Sequence, residues 1–270
     1  MVHIYGQEFY SLEKMKMAKC LNIVINEVCK METNQEYRCE YLLPHQLQAA
    51  MKKLPVAIVP TGLMEWHGNH LPLGQDTLKS YGICLEVARK LGGGIVMPPN
   101  YFGRPGYSTY AGTLTYSEET LLPLFYEIML QLRKIGAKVI AIITGHYGDC
   151  QVDFVKKAAR KFMDDYPDIK VLARPEYENV LVDGEVPQDH AGKWETSMFW
   201  ALYPDQVHWD HYETVMDDMK IYENAPLDYY REPAHWEFSE DLRKTSSIEL
   251  GQKAIDAIVS RITADIKALL

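Results

Sequence analysis

The run Lys138-Val-Ile-Ala-Ile-Ile-Thr-Gly-His-Tyr-Gly-Asp149 is apolar and largely β-branched up to Thr144, then turns abruptly polar. A continuous apolar run bounded by glycine predicts a strand buried on both faces, as in a parallel sheet. His146 follows that strand directly, between Gly145 and Gly148. In open α/β sheets, ligands gather just there, outside the carboxyl ends of strands. Downstream, Gln151 to Tyr166 predicts a helix and Ile169 to Ala173 a further strand.

Upstream, Val56-Ala-Ile-Val59 is a second buried run, opened by Pro55 and closed by Pro60 and Gly62. Thr77 to Leu91 carries apolar residues at Leu78, Tyr81, Ile83, Leu85, Val87, Ala88 and Leu91 and stops at Gly92-Gly-Gly94, which predicts a helix. Ile95-Val-Met97 is a short strand ending at Pro98-Pro99. Ser117 caps a helix that opens with Glu118 and Glu119, acids suited to its positive end, and runs to about Ile135. Pro123 lies inside it and predicts either a later start or a kink. This alternation from 55 to 173 predicts an α/β fold: one domain over 1–270, built on a mainly parallel, doubly wound sheet flanked by helices.

Outside that span the pattern is plainer. Residues 1–50 read as a helical extension packed on the domain, with Ser11 capping one helix and Pro44 starting another over His45 to Lys53. Residues 204–244 are an irregular aromatic and acidic segment. Ser246 or Ser247 caps a closing helix with Ile248, Leu250, Ala254, Ile255, Ile258, Val259 and Ile262 on its apolar face.

Composition narrows the class of function. A net charge of −9 argues against a nucleic-acid partner, which would want a basic face. There is no run of apolar residues long enough for a membrane span, and no leader of secretory type, so a cytoplasmic protein is expected. Cys20, Cys29, Cys39, Cys84 and Cys150 form neither a zinc pattern nor a disulfide framework, and read as reduced thiols.

Polar residues collect after the strands. The first cluster is Gly62-Leu-Met-Glu65-Trp-His67-Gly-Asn-His70-Leu-Pro-Leu-Gly-Gln-Asp76. Taken singly, Glu65 and His67 read as solvated loop residues and His70 as a packed core histidine. Glu65 and His67 are two apart, however, and face one side in extended backbone, while Pro72 and Gly74 bend the chain so that Asp76 can return to them. Glu, His and Asp together suit a borderline divalent metal such as zinc or manganese. His146 is the second cluster. The third, Asp189-His190-Ala-Gly-Lys-Trp-Glu195-Thr-Ser, looks like a helix N-terminus, where Glu195 alone would be an ordinary first-turn acid. The Gly- and aromatic-rich segment from Tyr101 to Thr113 is of the kind that walls a site. Its Tyr107 and Ser108, with Tyr147 beside His146, are candidate substrate-binding residues.

In order, Glu65-x-His67-Gly-x-His70-Leu-Pro-x-x-x-Asp76, Gly145-His146-x-Gly148-Asp149 and His190-Ala-Gly-x-x-Glu195-Thr-Ser resemble the creatininase family of metal-dependent amidohydrolases over about Leu54 to Pro204. The resemblance implies a binuclear centre of zinc, manganese or iron. Glu65, Asp76 and His146 would hold one ion, His67, Asp76 and Glu195 the other, with Asp76 bridging and His190 as acid/base. It also implies a small amide as substrate and a homo-oligomer, a hexamer in the family, with 204–240 a candidate interface. Three departures point away from creatinine: Gly148 stands where creatinine-cleaving members carry a Glu, Gly184 to Asp189 lacks their tryptophan, and the short loop from Tyr101 to Thr113 lacks the family's His before Gly112-Thr113. The expected reaction is hydrolysis of a non-peptide C–N bond in a cyclic or small amide. A formamide deformylase or small-peptide hydrolase, a metal-dependent isomerase, and a non-catalytic metal-binding relative are the alternatives.

Overall fold

Strand β1 (Val56–Thr61) and strand β3 (Val139–Thr144) lie side by side at the centre of a four-stranded sheet. Strand β2 (Ile95–Val96) borders β1, and strand β4 (Lys170–Pro175) borders β3, giving the order β2-β1-β3-β4. Every pairing is parallel, with Val56 opposite Val139 and Val139 opposite Lys170. The computed structural model describes residues 35–104, 106–213 and 237–270. Tyr37–Leu270 is one compact unit. The expected helices within 1–34, and most of the irregular segment, lie outside the described residues. Pro44 does open a helix, α1 (Pro44–Lys53).

Both faces of the sheet are covered because alternate strand residues point to opposite sides, each meeting an apolar helix stripe. On one face Val56, Ile58, Val139, Ala141 and Ile143 pack against helix α2 (Gln75–Leu91), helix α5 (Lys193–Leu202) and helix α7 (Ile248–Lys267). On the other, Ala57, Val59, Ile140 and Ile142 meet helix α3 (Glu118–Lys134) and helix α4 (Asp149–Asp165). Each large apolar side chain buried this way contributes about 1.5–3 kcal/mol. Between α5 and α7 a short helix, α6 (Leu242–Thr245), overlaps the end of the segment expected to be irregular.

Connectivity selects the site. From β1 the chain passes through α2 to β2, on one side of the sheet's midline. From β3 it passes through α4 to β4, on the other. The direction in which strands are added across the sheet therefore reverses between β1 and β3, and at such a switch point the loops leaving the two strands part to open a crevice.

Local details refine the sequence expectations. β1 continues through Pro60 to Thr61 rather than closing at the proline. The Pro60 carbonyl accepts from Asn100 N, so the missing N–H faces the side where β2 has already ended, and no ladder bond is lost there. Helix α3 neither starts late nor stops at Pro123. Ser117 Oγ accepts from Thr120 N at 3.2 Å, and the helix runs to Lys134 with one carbonyl, that of Glu119, deprived of its proline partner. Ser247 caps α7 by accepting from Leu250 N at 3.0 Å.

Candidate metal centre

The first polar cluster leaves the carboxyl end of β1 as a loop and returns at the first turn of α2, where Asp76 sits at the helix's positive end. His146 follows β3 directly, and Glu195 occupies the first turn of α5. Three separate chain segments thus meet above the β1–β3 boundary. The solvated-loop expectation for Glu65 and His67 fails: Glu65 is 0% exposed, His67 1%, Asp76 1%, Glu195 1% and His146 6%. His70 does pack as a core histidine, with Nε2 3.0 Å from Thr196 Oγ1 and its ring among Trp209, Tyr212 and Phe238.

Asp76 stands at the middle of the cluster. Its Oδ1 is 3.0 Å from His67 Nε2, and its Oδ2 is 3.2 Å from His146 Nδ1. His67 Nε2 is also 3.4 Å from Glu195 Oε2, and His146 Nδ1 is 2.9 Å from Glu65 Oε2. Two donor groups result, Glu65–Asp76–His146 and His67–Asp76–Glu195, each with its ligand atoms within 4.8 Å of one another. A third group, Glu65–His67–His190, meets the same criterion.

The donors are held from behind. Tyr107 N donates to Glu65 Oε1 at 2.7 Å, leaving Oε2 turned into the cluster. His67 Nδ1 lies 3.1 Å from the Glu65 carbonyl oxygen, so Nδ1 carries the proton and Nε2 is presented inward. Ala191 N donates to Glu195 Oε2 at 2.8 Å, from a backbone in the left-handed region at φ 51°. Asp189 accepts from Trp194 N and Glu195 N, and so anchors the helix turn that carries Glu195.

Burial opposes charge throughout the cluster, and the outcome differs by partner. It pushes the Glu65 carboxyl up. At Asp76 burial is outweighed by the charges of His67 and His146, and the carboxyl is held well below its usual range. His67 and His146 lose to burial but gain more from their facing carboxylates, which hold both rings well above the usual imidazole range. Glu195, despite its burial, is drawn down to about 2 by Lys79 and His67. Carboxylates and imidazoles thus meet as buried opposite charges, each turned towards the centre of the cluster.

The residues present fit a metal centre. Glu65 Oε2, His67 Nε2 and both Asp76 carboxylate oxygens are fully buried without a hydrogen bond of ordinary geometry among the described residues. Such groups are costly unless a cation satisfies them. The N/O donor set suits zinc, manganese or iron.

A pocket of about 450 Å³ opens over the cluster, walled by Tyr107, Tyr147, Gly148, Asp149, Cys150 and His190. Tyr107 stacks on the His190 ring at 4.1 Å, and His190 Nδ1 lies 4.0 Å from Glu65 Oε2. Burial and the charge of His67 push the His190 pKa down to about 3. Ser108 is not among the pocket's lining residues. Two buried groups escaped the reading of the sequence: Lys79 and Glu176. Glu176 directly follows β4, a polar residue at a strand's carboxyl end like His146, and Lys79 is one helix turn from Asp76.

The sequence model for creatininase, described as creatinine amidohydrolase, matches residues 40–266. A creatinine amidohydrolase of Pseudomonas putida is 28% identical over 236 residues, covering 78% of this chain and 88% of that protein. A mycofactocin precursor peptide peptidase of Mycolicibacterium smegmatis is 26% identical over 182 residues, covering 64% of this chain and 66% of its own length. Among solved structures, a mutant type II creatininase superposes with a TM-score of 0.70 at 25% identity, covering 87% of this chain and 98% of that one.

Proposed function

The chain belongs to the creatininase family of amidohydrolases, and from that premise we propose that it is a binuclear metal-dependent hydrolase of a C–N bond in a small amide. The observation that carries the binuclear reading is Asp76, whose two oxygens face two different donor groups, as a bridging carboxylate must. Glu65, Asp76 and His146 would hold one divalent ion, and His67, Asp76 and Glu195 the other. When bound, such ions lower the pKa of water to about 7 and polarise a carbonyl oxygen.

The rest falls to the protein's own side chains. Tyr107 and Tyr147 wall the pocket and hold the planar amide against the cluster. Glu65 and Asp76 keep their inward oxygens fixed, so the donors need no reorganisation as charge develops on the substrate. His190 Nδ1 faces the donor cluster from the pocket wall. It takes the proton of the attacking water there and delivers it to the departing nitrogen.

The pocket's size supports a second reading. Its volume of about 450 Å³ lies in the ~300–1,000 Å³ range that accommodates drug-sized ligands, and a peptidase is among the relatives. A short peptide would fit as well as a cyclic amide. A substrate panel of creatinine, other cyclic amides, formamides and short peptides separates them. A homo-oligomer belongs to the same proposal, and light scattering that shows a monomer would remove it. The deciding test is elemental analysis of protein purified without chelator. Two equivalents of transition metal per chain are expected, and one or fewer after reconstitution would end the binuclear reading.

A further inference from the structure

Beside the donor cluster, and not among the residues that line the pocket, lies a lysine that the proposed reaction does not use. Lys79 is fully buried, one turn along α2 from Asp76. A buried ammonium persists only where its three N–H groups and its charge are met. Here all three are met, one by α5 and two by the loop after β3. Lys79 Nζ donates to Glu195 Oε1 at 2.8 Å, on α5. It donates to Tyr147 OH at 2.7 Å and to the Gly145 carbonyl at 3.3 Å, the residues on either side of His146. Glu176, at the end of β4, adds a carboxylate 3.4 Å away and accepts from Tyr147 OH at 2.7 Å.

The consequence for Glu195 is specific. Its Oε1 is committed to the ammonium, and its Oε2 is the oxygen 3.4 Å from His67 Nε2. We propose that Lys79 is a positioning residue for one half of the metal centre: by holding Glu195 Oε1 it makes Glu195 a one-oxygen donor aimed at the His67–Asp76 position. Towards the other position, Glu65–Asp76–His146, Lys79 bonds Gly145 and Tyr147, the neighbours of His146, rather than a ligand oxygen. Lys79 also offsets the charge of Glu195 and Glu176, so that carboxylates beyond those facing the metals do not repel one another across the sheet end. This assignment rests on the binuclear reading above.

The test is a zinc titration against a chromophoric chelator, with wild type, Lys79→Met and Lys79→Met/Glu176→Gln. The double variant removes a buried acid with its buried base and so keeps the protein foldable where the single one fails. Wild type should take up two equivalents. Both variants should bind the first equivalent as wild type does and the second about 10- to 100-fold more weakly, the usual cost of losing a residue that orients a ligand. Raised zinc should then restore the second equivalent. Two equivalents bound with wild-type affinity by the folded double variant would overturn the assignment, and so would equal weakening of both. Fewer than two equivalents in wild type would overturn the binuclear reading itself, and this assignment with it.

Discussion

At the scale of single residues, the cluster separates groups that hold from groups that act. Glu195 is fully buried, with both oxygens engaged by Lys79, Ala191 N and His67, so its proposed duty is to bind metal. Glu195→Gln keeps the shape but loses the charge, and should leave one ion bound per chain by elemental analysis. His190 sits at the pocket wall, partly exposed and stacked on Tyr107, with its pKa pushed down to about 3. General acid–base help is worth about 100- to 10,000-fold, so His190→Ala should lower turnover by that range with both metals retained. Because Glu65, His67 and His190 also form a possible ligand group, loss of a metal in that variant would reassign His190 as a ligand.

At the scale of elements, the strand ends matter more than the strands. A Cβ added at Gly145 would collide with the Asp76 carbonyl oxygen, because the loop after β3 presses directly on the first turn of α2. Gly145→Ala must therefore push His146 and Asp76 apart. It should both lower stability, by roughly 1–3 kcal/mol as overpacked sites do, and weaken metal uptake, read by denaturant melts and zinc titration together. Ser247→Ala gives the contrast. Its Oγ accepts from Leu250 N at the start of α7, and its own N–H donates to Ser197 Oγ rather than to a donor of the cluster. Loss of that cap should cost about 0.5–2 kcal/mol in denaturant melts while metal stoichiometry stays unchanged.

At the scale of the whole molecule, folding assembles buried donor groups that the unfolded chain does not hold together, so a cation bound there favours the folded state. A ligand that binds only the folded chain stabilises it by about 2.7 kcal/mol at 100 times its Kd. For a domain of this size each kcal/mol shifts Tm by about 2–4 °C. Adding zinc to chelator-stripped protein should therefore raise Tm by about 5–10 °C for each ion position filled, and an unchanged melt would argue that the donors hold no metal. Among the described residues no helix is long and apolar enough to cross a membrane, and Cys39, Cys84 and Cys150 are free thiols.

The alternation of strand and helix was legible in the chain itself. β-branched runs such as Val139–Thr144, glycine stops such as Gly92 and caps such as Ser117 and Ser247 are local, and local periodicity decides which face of an element is buried. The polar groups after β1 and β3 were legible for the same reason, since a run that turns polar marks a strand's carboxyl end. Tertiary structure alone decided what those groups face. Asp76 turns one oxygen to His67 and the other to His146 because α2 leaves the sheet at the switch point, a matter of connectivity across 70 residues of chain rather than of spacing. Lys79 was illegible: in an amphipathic helix a lysine normally marks the solvent face. Only the convergence of Glu195, Glu176 and Tyr147, from three distant segments, makes burying its charge possible.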